Sequence, residues 1–203
     1  MSEDAERNRL HREKMQRRDE AFERTMAQAT REKGLLIVHT GPGKGKTTAA
    51  LGMALRALGH GLQVGIVQFI KGAIDTGEAA MIRRLDAPIE MHTLGEGFTW
   101  KTQDRERDIL AARRGWEKSV ELLRDPSFDL VILDELNVVL RYEYLPLEEV
   151  LNELRTKREA LHVVVTGRNA QAGLLDIADL VTEMAAVKHP FRQGVKPQRG
   201  IEF

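Results

Sequence analysis

From residue 34 onward, apolar runs of strand length alternate with amphipathic segments of helix length, and this alternation restricts the fold more than any other feature. The runs are Leu35–His39, Val64–Phe69, Ile89–Thr93, Leu130–Leu133, Leu161–Thr166 and Leu180–Met184. Alternation of this kind implies successive βαβ units. Several runs are apolar without a break, as expected of parallel strands with helices on both faces, where no position needs to meet water. The expected architecture over 34–203 is therefore an α/β domain with a mostly parallel sheet covered by helices on both faces. Ligands then belong at the carboxyl ends of the strands. The final stretch, 187–203, with Pro190, Gly194, Pro197 and Gly200, reads as irregular chain.

Residues 1–33 are of a different kind: dense in both charge signs, without Gly or Pro, and with Leu10, Met15, Phe22, Met26 and Ala29 at intervals compatible with one helical stripe. They read as a charged helical arm. Such an arm is either a solvated extension or a segment that docks across a partner subunit or over the ligand.

Bulk properties remove several classes of function. A formal net charge of +0 provides no field to gather nucleic acid or an anionic membrane, so neither is an expected partner. No run approaches the roughly 18 apolar residues of a membrane helix, and the start is too charged for a secretory signal, so a cytoplasmic location is expected. The absence of cysteine excludes disulfides, thiolate nucleophiles and cysteine-held metals. Chemistry must come from oxygen and nitrogen groups or from a bound ligand.

Directly after the first run comes Thr40-Gly41-Pro42-Gly43-Lys44-Gly45-Lys46-Thr47-Thr48, followed by the helix-forming Ala49–Leu58. This is a P-loop in its proper context. Glycines let the backbone turn its N–H groups toward phosphate, the helix start adds positive potential, Lys46 contributes a point charge, and the Thr47 hydroxyl can ligate Mg²⁺. The general pattern asks for Gly where this chain has Thr40, so the glycine-to-glycine span is one residue short. ATP binding through Gly41–Thr48 is expected, with a nucleotide pose that need not be the standard one.

The run Phe128–Leu133 ends in Asp134-Glu135, the arrangement that sets an acid beside a P-loop threonine to hold a metal. The candidate metal residues are Thr47, Asp134 and Glu135, for Mg²⁺ or Mn²⁺ on oxygen ligands. Glu135 is read either as a metal ligand or as a base that polarises water. The stretch Glu90-Met91-His92-Thr93-Leu94-Gly95 approaches a cobalt-coordinating D-x-H-x-x-G pattern, but Glu replaces Asp, and His92 reads as a plain strand-end histidine.

Taken in order, Gly41–Thr48, Val67-Gln68-Phe69-Ile70-Lys71-Gly72, Gly97-Phe98-Thr99-Trp100, Leu133-Asp134-Glu135-Leu136, Tyr144-Leu145-Pro146-Leu147, Thr166-Gly167-Arg168 and Val187-Lys188-His189 resemble the ATP:corrinoid adenosyltransferases of the CobA/CobO/BtuR type. The resemblance spans nearly the whole chain. It implies a RecA-like P-loop fold, a homodimer, and ATP held with its triphosphate reversed. It also implies attack of a Co(I) corrinoid on C5′ of ATP with triphosphate leaving, in adenosylcobalamin biosynthesis and salvage. The acceptor would be cobalamin, cobinamide or cobyrinic acid a,c-diamide, and a reduced flavoprotein the electron donor.

Co(I) is itself a strong nucleophile, so the protein's tasks are to place C5′ in line and to stabilise charge on the leaving triphosphate. Lys46, assisted by Lys44, serves the second task. By the resemblance, Phe98 and Trp100 form the floor beneath the corrin ring and Arg168 meets phosphate. Two other readings stay open: a P-loop kinase or NTPase in which Glu135 activates water, and a ParA-like assembly switch, for which Lys44 stands at the wrong place.

Overall fold

The computed structural model describes residues 3–70, 76–94 and 104–201. It divides into two units, 1–33 and 34–203. The first is one helix, α1 (Glu3–Gln28), whose Leu10, Met15, Phe22 and Met26 are exposed. These four positions belong to the stripe read from sequence, and within this unit they face solvent.

The second unit runs β1 (Leu36–Thr40), α2 (Lys46–Gly59), β2 (Val64–Gln68), α3 (Gly77–Ile82), β3 (Ile89–Thr93), α4 (Arg105–Arg124), β4 (Leu130–Asp134), α5 (Leu136–Arg141), α6 (Leu147–Arg155), β5 (His162–Thr166), α7 (Ala172–Ile177) and β6 (Leu180–Glu183). A short 3₁₀ turn, Pro190–Gln193, lies in the otherwise irregular C-terminal stretch. The strands form a six-stranded sheet in the order β3-β2-β4-β5-β1-β6, and every pairing is parallel. All six sequence runs became strands, with ends displaced by a residue or so: β1 reaches Thr40 and β4 takes in Asp134.

The alternation of side chains along each strand feeds two cores. Leu36, Val38, Val67, Val131, Leu133, Val163 and Val165 point to one face, where α4 contributes Trp116 and Leu122, α5 Val139 and Leu140, and α6 Val150 and Leu151. Ile37, Ile66, Leu130, Ile132 and Val164 point to the other, against Ala50, Leu51 and Ala54 of α2. Unbroken apolar runs are required because both sets are buried. The edge strands β3 and β6 are only partly buried or exposed, and they are the ones that carry Glu90, Thr93, Thr182 and Glu183.

Helix ends follow their local chemistry. Asp104 caps α4 by accepting from the Arg107 N–H at 3.1 Å, with Glu106 and Asp108 in the first turn and Arg124 in the last, each charge suited to its end of the helix dipole. At the amino edge of the sheet, Gly34 passes so close to Leu161 that a Cβ would lie 2.1 Å from its carbonyl oxygen. The Lys157 ammonium bridges the carbonyls of both residues, at 2.7 and 2.8 Å, and so fixes where the chain enters β1.

Leu133, fully buried at the centre of the sheet, and Leu180, 45% exposed on the edge, separate the two roles of leucine here. Leu133→Ala should cost about 2–5 kcal/mol and Leu180→Ala under about 1 kcal/mol in urea denaturation.

Candidate functional site at the carboxyl edge of the sheet

Each of the six strands ends on a polar residue: Thr40, Gln68, Thr93, Asp134, Thr166 and Glu183. The parallel register gathers these ends at one edge, where the glycine-rich loop after β1 also lies. The polar rim is therefore a consequence of topology as well as of sequence.

The loop between β1 and α2 curls around its own lysine. The Lys46 ammonium, buried at 6% exposure, donates to the carbonyl oxygens of Gly41 at 2.7 Å and Gly43 at 2.6 Å. Gly45 starts α2 with φ +105°, a left-handed conformation that a side chain resists. Gly41 and Gly43 lean on the chain after β6: the Gly43 N–H donates to the Met184 carbonyl at 2.6 Å, and a Cβ on either glycine would fall 2.6 Å from that oxygen. Both glycines are thus demanded by packing as well as by any phosphate. Pro42, Lys44 and Thr48 are exposed, and Thr47 is half-buried.

Burial holds the Lys46 ammonium pKa below its ordinary value, opposed by the Glu135 carboxylate and reinforced by the charges of Arg168 and Lys44. Lys44, Lys46 and Arg168 therefore share one electrostatic neighbourhood at the start of a 14-residue helix. Cations gathered in this way repel one another, and a polyphosphate would relieve the repulsion while meeting the positive end of the helix dipole. Arg168 reaches this place because Gly167, at φ +128°, turns the chain where a Cβ would strike Asn137 at 2.8 Å.

Across from the loop, Asp134 is almost fully buried and accepts hydrogen bonds on both of its carboxylate oxygens. Its Oδ1 accepts from the hydroxyls of Thr47 at 2.8 Å and Thr166 at 2.7 Å, and its Oδ2 accepts from the Gln68 amide at 2.9 Å. Thr166 in turn accepts from the Glu135 N–H at 3.0 Å. Glu135 adopts φ +65°, an unfavourable region for a side chain that carries a Cβ, and half-exposes its carboxylate where the chain turns into α5. Thr47, Asp134 and Glu135 thus come together as read from sequence.

Three participants escaped the sequence reading. Gln68 and Thr166 lie in quoted motifs, but nothing local marked them as partners of Asp134. Asn137 is fully buried, and its amide donates to the carbonyls of His39 at 3.3 Å and Gly167 at 3.2 Å, clipping the ends of β1 and β5 together. Phe98 and Trp100 lie outside the described residues. His92 sits on β3 with its ring Nε2 3.4 Å from a Glu90 carboxylate oxygen on the same face, a close approach that makes no hydrogen bond.

The fold and this edge define a parallel α/β protein whose glycine-rich loop, helix start and acidic strand end meet at the carboxyl edge of the sheet. The family model for ATP:corrinoid adenosyltransferases BtuR/CobO/CobP matches residues 32–203, and the chain belongs to that family. It is 51% identical to a corrinoid adenosyltransferase of Pseudomonas aeruginosa over the full length of both chains. It is 46% identical to a corrinoid adenosyltransferase of Escherichia coli K12 over 95% of this chain and 97% of that one. With the corrinoid adenosyltransferase CobA of Salmonella typhimurium the identity is 45% over the same shares.

The loop packing yields a paired test on glycines. Gly52 lies mid-helix in α2 with open space around it, so Gly52→Ala should stabilise by up to about 1 kcal/mol through helix propensity. Gly43→Ala must displace the Met184 backbone, and should destabilise by about 1–3 kcal/mol in urea melts while weakening nucleotide binding in calorimetry.

Proposed function

We propose that this protein transfers the 5′-deoxyadenosyl group of ATP to the Co(I) centre of a corrinoid and releases triphosphate, in adenosylcobalamin biosynthesis and salvage. The observation that carries the reading is the short loop with its enclosed Lys46, set beside Thr47, Asp134 and Glu135, in a chain that matches an ATP:corrinoid family over residues 32–203. Strand β5 standing between the loop strand β1 and the acidic strand β4 supports a RecA-like arrangement within the domain 34–203.

In the reaction, the Co(I) electron pair forms the Co–C5′ bond as the C5′–O bond breaks, and the leaving triphosphate keeps that bond's electrons; cobalt is formally oxidised to Co(III). The protein supplies no nucleophile. Lys46, Lys44, loop N–H groups other than that of Gly43, which is bound to Met184, and Arg168 stabilise the charge that grows on triphosphate, where preorganised donors act most strongly. Phe98 and Trp100 provide the apolar floor that positions the corrin ring and excludes water.

The donors present fit Mg²⁺ or Mn²⁺: hydroxyl and carboxylate oxygens only, with no cluster of three His, Asp or Glu among the described residues to form a closed cage, so phosphate oxygens would complete the shell. Asp134 already spends both acceptor sites of Oδ1 on Thr47 and Thr166, so it orients Thr47, and Glu135 is the carboxylate better placed to bind the ion directly. Such an ion, when bound, neutralises triphosphate charge. The wider reading includes a homodimer in the cytoplasm, an arm at 1–33 that is either a solvated extension or a segment docking across a partner subunit or over the ligand, and a reduced flavoprotein as electron donor. Among the described residues no helix is long and apolar enough to cross a membrane.

With ATP and chemically reduced cobalamin, the expected products are triphosphate and the visible spectrum of a Co–C bond; ADP and phosphate without that spectrum would refute the assignment. Lys46→Ala should lower kcat/KM by about a hundredfold or more. Replacing Phe98 and Trp100 together by Ala should harm reaction from Co(II) under a mild reductant more than reaction from pre-formed Co(I), as rates under the two regimes would show.

A further inference from the structure

The run Val67-Gln68-Phe69-Ile70 ends β2 on a glutamine that the reaction as described leaves without a task. Gln68 is 3% exposed. A buried amide is unfavourable unless both of its ends are paired. Here both are. Nε2 donates to Asp134 Oδ2 at 2.9 Å, and Oε1 accepts from the Thr93 hydroxyl at 3.2 Å. The amide has one acceptable orientation, because an ionised carboxylate only accepts and must face the nitrogen.

The sheet itself aligns these groups. Gln68 is in register with Thr93 on β3 and with Asp134 on β4, so the three side chains form a row across adjacent strand ends. The row continues through Asp134 Oδ1 to the Thr47 hydroxyl at 2.8 Å, on the first turn of α2. Oδ1 is held by two hydroxyls, whereas Gln68 holds Oδ2. A carboxylate's terminal torsion is broad, so a donor on Oδ2 helps to set its plane.

We infer that Gln68 is a positioning residue for the nucleotide site: by helping to fix the plane of the Asp134 carboxylate it keeps the Thr47 proton on Oδ1 and so leaves the Thr47 lone pairs to the metal ion that would accompany triphosphate. This rests on the metal reading of Thr47, Asp134 and Glu135 given above. It assigns Gln68 to the metal-dependent part of nucleotide binding and leaves the contribution of Lys46 and the loop amides untouched. Thr93 acts one step further out, by holding the amide in its orientation.

The test is calorimetric titration of the full chain with ATP, without corrinoid, in the presence of Mg²⁺ and in its absence with a chelator. Gln68→Met keeps the length of the side chain and removes the donor. It should leave metal-free ATP affinity within about twofold of wild type while cutting the Mg²⁺ enhancement about tenfold, the scale of one hydrogen bond to a charged group. Thr93→Val, on the edge strand where folding is least exposed to damage, should cut the enhancement about threefold, as the amide keeps its donor but loses its orienting partner.

Full Mg²⁺ enhancement in Gln68→Met overturns the inference, and so does an equal loss with and without Mg²⁺, which marks a packing role only. If thermal melting shows that Gln68→Met does not fold, Thr93→Val decides: an unchanged enhancement overturns it. A wild-type protein whose ATP affinity ignores Mg²⁺ defeats the metal reading first and this inference with it.

Discussion

Burying a carboxylate costs several kcal/mol unless hydrogen bonds replace the water it loses, and Asp134 is buried at the end of one of the two central strands of the sheet. Three donors from β2, β5 and α2 replace that water. The consequence reaches beyond the acid itself. To satisfy Asp134, the ends of three strands and the start of the loop helix must arrive in one register, so the buried charge and the geometry of the carboxyl edge depend on each other. Removing any donor leaves an oxygen poorly paired in a low dielectric, where an unmade hydrogen bond is most costly.

The glycine-rich loop follows the same logic with opposite sign. Lys46 is a buried cation whose donors are turned onto its own loop carbonyls, close to Lys44 and Arg168. That arrangement is tolerable because the ammonium is hydrogen-bonded, and it is poised for an anion because its neighbours are also cationic. Gly41 and Gly43 permit the loop to lie against Met184, so the chain after β6 forms the wall behind it. The general motif gives these glycines to phosphate. In this fold they serve backbone packing too.

Legibility varied with how local each signal was. The six strands and the helices between them were readable because two-sided burial imposes its pattern on consecutive residues. Lys46, Thr47, Asp134 and Glu135 were readable because a loop before a helix and acids at a strand end are contiguous motifs. Gln68, Thr166 and Asn137 were not readable as partners, since their roles arise from strands far apart in the chain: Gln68 and Asp134 are 66 residues apart. Arg168 fell between these cases, placed by the strand it follows but brought near Lys46 only by the turn at Gly167. Phe98 and Trp100 rest on resemblance, since they lie outside the described residues.

By itself, then, the sequence determined a parallel α/β domain, a charged helix at the start and a glycine-rich loop with an acidic strand end, because periodicity, glycine spacing and charge are properties of neighbouring residues. The tertiary structure alone decided that β5 separates the loop strand from the acidic strand, that the loop leans on the chain after β6, and that Thr93, Gln68, Asp134 and Thr47 form one hydrogen-bonded row. Those features depend on which strands pair and in what register. Pairing is settled by burial of both faces of the whole sheet, and no short stretch of chain contains that information.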